Sequence, residues 1–278
     1  MANIEAGANG SQPRRSANAS TMWFDGPLRL VDRVCLSSMV DVGMTVRLYT
    51  FGDVPNLPPG ISVEDGRKVL DPKLIKRLIP IAKKHQRGWL PTCHFSDFFR
   101  IFQQKHDGNL WFDTDILMFR KFEYSPDTHI FAKESRFRMG FSVLRLPSFS
   151  PIIGEYQDLL CQPMLIPNWL GWRRGLLRPV IYRLFKKEFS PSDLGITIFA
   201  NDALTRLTRR HRIGGQALPK ASFYHWTGNQ TLQIYRNISW SFFLDHSNHY
   251  GLHIHRKVDD NFKPEQGSLW SWAIGHYG

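Results

Sequence analysis

Short apolar runs alternate with amphipathic stretches along the chain, and turn residues separate them. Residues 33 to 43 read as a helix that stops at Gly43, and the β-type run Thr45-Val46-Arg47-Leu48-Tyr49 follows. A Pro-rich turn from Pro55 to Gly60 leads to a short strand over Ile61 to Val63, then to a helix around Pro72 to Lys84 with basic residues on its polar side. A further helix is predicted over Ser96 to Lys105, with Ser96 at or near its N-cap and Asp107-Gly108-Asn109 as its stop. Leu110-Trp111-Phe112 is apolar, short and bounded by turn residues, so it reads as a buried strand. His129 to Ala132 and Phe141 to Leu146 read as two more strands, and Tyr250 to Lys257 as an apolar-alternating strand that carries His253 and His255. Strands that alternate with helices predict an α/β fold with a mostly parallel sheet. There is no internal repeat.

Two segments break this pattern. Residues 1–20 are rich in Ala, Asn, Gly and Ser and lack large apolar groups, so they are expected to form a disordered tail ahead of one folded domain over 21–278. Residues 161–188 mix Trp169, Trp172, Leu176, Leu177, Tyr182 and Phe185 with six basic residues against the single acid Glu188. They read as a basic amphipathic helical insertion. Such a segment suits an anionic membrane surface, where a lipid-linked acceptor such as a lipopolysaccharide core would be met. The alternative is a helical pair packed on the domain with its basic face in solvent.

Composition narrows the classes further. A net charge of +12 implies an anionic partner, which leaves nucleic acid, a nucleotide ligand or an acidic membrane in play. Cys35, Cys93 and Cys161 show no CxxC spacing, so neither a disulfide framework nor a cysteine zinc site is expected, and a reducing cytoplasm fits. No run of eighteen apolar residues and no signal-peptide stretch is present, so the expectation is a cytoplasmic protein, peripheral on the membrane face. The nine Trp suit either a core or a sugar-binding platform.

The sharpest chemistry follows the Leu110–Phe112 strand. Asp113 and Asp115 stand at its carboxyl end, where open α/β sheets bind ligands. Carboxylates at i and i+2 can share one divalent cation, and hard oxygen donors suit Mn²⁺ or Mg²⁺ holding a diphosphate. A lone DxD is a weak sign. Here the apolar flanks, 110–112 and 116–119, draw the charges toward the sheet edge, where an unpaired carboxylate is costly and a cation relieves the cost.

The wider wording resembles a known family. Phe95-Ser96-Asp97-Phe98-Phe99-Arg100, followed by Asp107-Gly108-Asn109-Leu110-Trp111-Phe112-Asp113-Thr114-Asp115, resembles the SDxxR…GGxYxDxD signature of DXD-containing retaining glycosyltransferases. That group includes the initiating α-1,6-mannosyltransferase, α-1,4-galactosyltransferases and the large glucosylating toxins. Residues 22–28 (MWFDGPL) are similar to the opening strand and loop of these enzymes, 131–134 (FAKE) to the following strand, and 250–253 (YGLH) to the C-terminal strand. The resemblance implies a GT-A-like fold whose residues 21–122 bind a nucleotide-sugar and whose later residues meet the acceptor. It implies hexosyl transfer from a UDP- or GDP-sugar to a glycan or glycolipid, with retention.

The resemblance also assigns roles, residue by residue. Asp97 and Arg100 would hold hydroxyls of the donor sugar, Asp113 the ribose and metal, and Asp115 the metal directly; these four are the candidate catalytic residues. His253 would approach the metal or diphosphate and Lys257 the diphosphate, while Trp23, with Phe24 beside it, would lie near the base. Two departures stand out: Asp107-Gly108-Asn109 replaces paired glycines, and Asn201-Asp202 stands where Gly-Pro is expected on the acceptor side. Plainer readings of the same residues remain. Asp97 and Arg100, at i and i+3, also suit a surface ion pair, Trp23 a core position, and His253 a strand histidine with His255 on the same face. A metal-dependent phosphotransferase or nuclease would use the same acids, and a nucleic-acid-binding protein the same charge, although no nucleic-acid motif is present.

Overall fold

The structure, a computed structural model, describes residues 15–16, 18–81, 87–121, 123–185 and 188–278. In chain order the strands are β1 (Arg15–Ser16), β2 (Asn18–Met22), β3 (Thr45–Thr50), β4 (Ile61–Asp65), β5 (Leu110–Phe112), β6 (Ile116–Met118), β7 (Glu123–Tyr124), β8 (Val143–Leu144) and β9 (Gly251–His253). The helices are α1 (Leu30–Asp41), α2 (Leu74–Leu78), α3 (Leu90–His106), α4 (Pro151–Cys161), α5 (Arg178–Leu184), α6 (Asn201–Arg210), α7 (Phe242–Asp245) and α8 (Leu269–Tyr277).

A five-stranded sheet runs β4-β3-β2-β5-β8. Its first four strands are parallel and β8 pairs antiparallel with β5. Beyond the end of β5 the chain turns into β6, which pairs antiparallel with β9 so that Ile116 faces His253. Helices flank the main sheet. This mixed α/β architecture with a mostly parallel sheet is the class expected from the sequence. The core is aromatic where α3 meets the sheet: Phe95, Phe98 and Phe99 are fully buried beside Trp111 and Tyr49.

Several boundaries differ from the sequence expectation. β2 starts at Asn18, inside the segment expected to be disordered, and Ala19 and Ser20 are buried. These small residues bring little apolar area, yet the strand lies between β3 and β5, and ladder hydrogen bonds on both edges hold it. Residues 1–14 and 17 lie outside the described ones. α3 begins at Leu90 with Pro91 in its first turn, so Ser96 sits inside the helix and does not cap it. α2 covers only Leu74–Leu78, because Ile79, which precedes Pro80, is extended. Residues 82–86, the rest of that predicted helix, lie outside the described residues. The predicted strand at His129 to Ala132 is reduced to isolated bridges, Ile130 to Arg145 and Ala132 to Leu218. The final strand stops at His253, where the His255 N–H donates back to the His253 carbonyl at 3.0 Å and turns the chain away.

Candidate active site and metal-binding cluster

The carboxyl ends of β2 and β5 open into a cleft of about 480 Å³, within the range of small-molecule sites. The chain leaving β2 forms one wall with Trp23, Phe24 and Asp25, and α3 forms another with Cys93, Asp97 and Arg100. Asp113, Asp115 and Lys257 also line it. Trp23 presents its ring with the Arg29 guanidinium 5.4 Å above it, while Phe24 stacks on Phe51 at 4.8 Å and is part of the wall's packing.

The turn after β5 is held from three sides. Asp113 N–H donates to the Ser142 carbonyl at 2.8 Å, and Ile254 N–H donates to the Asp115 carbonyl at 2.9 Å. The Thr114 hydroxyl donates to Asp32 Oδ1 at 2.6 Å, and Asp32 is itself paired with Arg29 at 2.6 Å. The two site carboxylates are therefore fixed by backbone and by the start of α1. Their orientation is set before any ligand arrives.

Arg100 is the buried hub on the α3 side. Its Nη1 lies 2.9 Å from Asp113 Oδ1 and donates to the Phe141 carbonyl at 2.6 Å, and its Nη2 lies 3.5 Å from Asp97 Oδ1. The guanidinium sits between the Trp111 and Phe141 rings, 5.0 and 4.7 Å from their centroids, and the Trp111 indole N–H donates to Asp113 Oδ1 at 2.8 Å. Asp97 and Arg100 are thus not a surface ion pair: both are buried. Burial pushes the Asp97 carboxyl up to about 7, although Arg100 pulls the other way.

Asp115 anchors the opposite side. Lys257 Nζ stands 2.5 Å from its Oδ2, and His253 Nε2 stands 3.5 Å from its Oδ1 and 3.4 Å from the Ser142 hydroxyl. Burial disfavours the charged Asp115, yet Lys257 and His253 outweigh it and hold the carboxyl well below the usual range. Burial likewise opposes the charged forms of His253 and Lys257, and Asp115 raises both. The His253 ring is backed edge-on by Tyr224 at 5.6 Å, whose hydroxyl accepts from Ser142 N–H at 3.0 Å. A Cβ on residue 140 would fall 2.1 Å from Tyr224 Cζ, so Gly140 is what lets Tyr224 reach this place.

Asp113, Asp115 and His253 each offer one ligand atom, all within 4.8 Å of one another. Asp115 Oδ1 is buried and makes no hydrogen bond, an orphaned acceptor aimed at the cluster. Arg100 faces Asp97 and Asp113, and Lys257 and His253 face Asp115. Two carboxylates and an imidazole are donors that a divalent cation such as Mn²⁺ accepts. The residues present fit such an ion.

Every residue assigned from the sequence except His255 reaches the cleft or the cluster behind it. His255 lines neither; the turn after His253 takes it out of the strand, and its ring packs edge-on against the His253 ring at 5.7 Å. Asn201 and Asp202 stand behind the wall: Asn201 donates to Glu134 at 2.9 Å and Asp202 pairs with Arg174 at 2.9 Å, while neighbouring Ala200 lines the cleft. Sequence reasoning missed Ser142 and Tyr224, which carry no local signal, and also missed Trp111 as a donor. The last was readable, since residues i and i+2 of a strand share a face.

No family model matches the chain, and no curated protein matches it. A distant structural neighbour among solved structures is the PaToxG glycosyltransferase, with a TM-score of 0.39 and 11% identity, covering 74% of this chain and 88% of that one.

Proposed function

We propose that the chain is a metal-dependent glycosyltransferase that moves a hexose from a UDP- or GDP-sugar to a glycan or glycolipid, with retention at the anomeric carbon. The observation that carries this reading is the Asp113–Asp115–His253 cluster, with its orphaned Asp115 oxygen, at a cleft whose α3 wall bears Asp97 and Arg100. A divalent cation held by Asp113, Asp115 and His253 would supply Lewis-acid charge against the diphosphate leaving group.

The chain's own groups account for the rest. Lys257 places a second positive charge where the diphosphate gathers electrons as its bond to the sugar carbon breaks. Asp97 accepts hydrogen bonds from sugar hydroxyls, which replace the water that its burial has removed. Arg100 orients both Asp97 and Asp113, so sugar and diphosphate are gripped through one rigid guanidinium. Trp23 and Phe24 offer the base an apolar wall. The acceptor oxygen bonds the sugar carbon and its proton leaves with the diphosphate. No carboxylate of the chain is assigned as nucleophile.

Thermal unfolding with UDP or GDP tests the donor site. At a hundredfold excess over Kd either diphosphate should stabilise the fold by about 2.7 kcal/mol, and only when Mn²⁺ is present. A shift of the same size in excess chelator would contradict the reading, and so would a shift given by short oligonucleotides but by neither diphosphate.

A further inference from the structure

The segment from Trp172 to Phe185 plays no part in the proposed reaction, and most of its apolar side chains face outward. A helix docked on a domain normally turns its apolar stripe inward. Here only Pro179 and Tyr182 pack inward, Tyr182 stacking on Phe189 at 5.2 Å, and two arginines bond beside them: Arg174 Nη2 pairs with Asp202 at 2.9 Å, and Arg178 Nη1 donates to the Leu194 carbonyl at 3.4 Å. Just before it, Trp169 is buried and its indole N–H donates to the Ile198 carbonyl at 2.9 Å, which ties the segment's start to the core.

The outward face is apolar. Trp172, Leu176, Val180 and Leu184, spaced by four along a π-helical turn (Arg173–Leu177) and α5, are 65%, 64%, 39% and 75% exposed. Leu177, Ile181 and Phe185 widen the stripe and are exposed as well. Contiguous exposed apolar surface of this kind marks an interaction site.

Charge selects the partner. Arg173 and Arg183 stand beside the stripe and are not bonded to an acid among the described residues, and no acid occurs between 172 and 185. A second copy would bring the same two arginines against these, so self-association on this face is opposed by its own charge. An anionic bilayer meets both features, since it accepts apolar side chains below the headgroups and guanidinium groups among them. Among the described residues no helix is long and apolar enough to cross a membrane. We propose that the 172–185 face docks the protein peripherally on an anionic lipid surface. This surface is separate from the cleft, so the proposal stands or falls independently of the glycosyltransferase reading.

Flotation with phosphatidylcholine vesicles, with and without phosphatidylglycerol, tests it. One variant combines Leu176→Asp with Leu184→Asp. The other combines Arg173→Glu with Arg183→Glu and leaves Arg174 and Arg178, which hold the helix in place, untouched. The wild type should float with anionic vesicles only and less so at high salt. Each variant should lose about tenfold or more of the bound fraction, with an unchanged melting temperature. The proposal is overturned if the wild type stays unbound, if it floats equally with neutral vesicles, or if either folded variant floats like the wild type. It is overturned equally if the leucine variant converts a wild-type dimer to a monomer.

Discussion

Asp115→Asn is expected to lower sugar transfer by about a thousandfold and to destabilise the protein at the same time. The first effect follows from the cluster, because Asp115 supplies the buried oxygen that lacks any hydrogen bond and faces His253. The second follows from Lys257, whose ammonium stands 2.5 Å from Asp115 Oδ2 and would lose its counter-charge. Lys257 is open to solvent, so losing this pair costs about 1 kcal/mol. Loss of activity in the single variant is therefore ambiguous by itself. The double variant Asp115→Asn with Lys257→Met removes both charges, and it should recover most of the melting temperature while remaining inactive. Recovery of activity together with stability in the double variant would show that Asp115 serves Lys257 and the fold, not a cation.

Asp97→Asn is expected to do the reverse to stability. The folded-state pKa of Asp97 is raised to about 7 by burial, with Arg100 lowering it only in part. Between the ordinary carboxylate value and 7, the native state keeps a proton that the unfolded chain has released, so stability falls as pH rises through that window. Above pH 7 the ionised carboxylate costs the fold its full penalty, and asparagine removes it. At pH 8 the variant should melt higher than the wild type, and its stability should be flatter from pH 4 to 7. Transfer should drop about a hundredfold, whereas the affinity for bare UDP or GDP should barely change, since Asp97 is assigned to the sugar alone. A variant that melts lower at pH 8, or that loses diphosphate binding as strongly as transfer, would make Asp97 a structural residue.

What the sequence made legible was local. The apolar triplet 110–112 between turn residues announced β5, and with it the position of Asp113 and Asp115 at a strand end. Gly43 and the Thr45–Tyr49 run likewise marked the α1 to β3 unit. Depth was not legible. At i and i+3 a helix offers Asp97 and Arg100 the same spacing whether the pair faces solvent or a Trp111–Phe141 sandwich, and only the tertiary fold decides. Ser142 and Tyr224 meet across 82 residues, which no periodicity reports. Ala19 and Ser20 were misread because their burial comes from the neighbours of β2 and not from their own hydrophobicity. The 172–185 segment shows the same limit from the other side. Its spacing revealed apolar side chains at helical intervals, while their outward direction is set by Tyr182, Pro179, Arg174 and Arg178 facing the domain.

The decisive measurement is nucleoside diphosphate release from a panel of UDP- and GDP-sugars, followed with and without Mn²⁺ in the same preparation. The structure-based reading predicts release from at least one donor that requires the ion, stops in excess chelator, returns when Mn²⁺ is restored, and is absent in the stable Asp115→Asn, Lys257→Met protein. Release that continues undiminished in excess chelator, or that survives in that double variant, would contradict it.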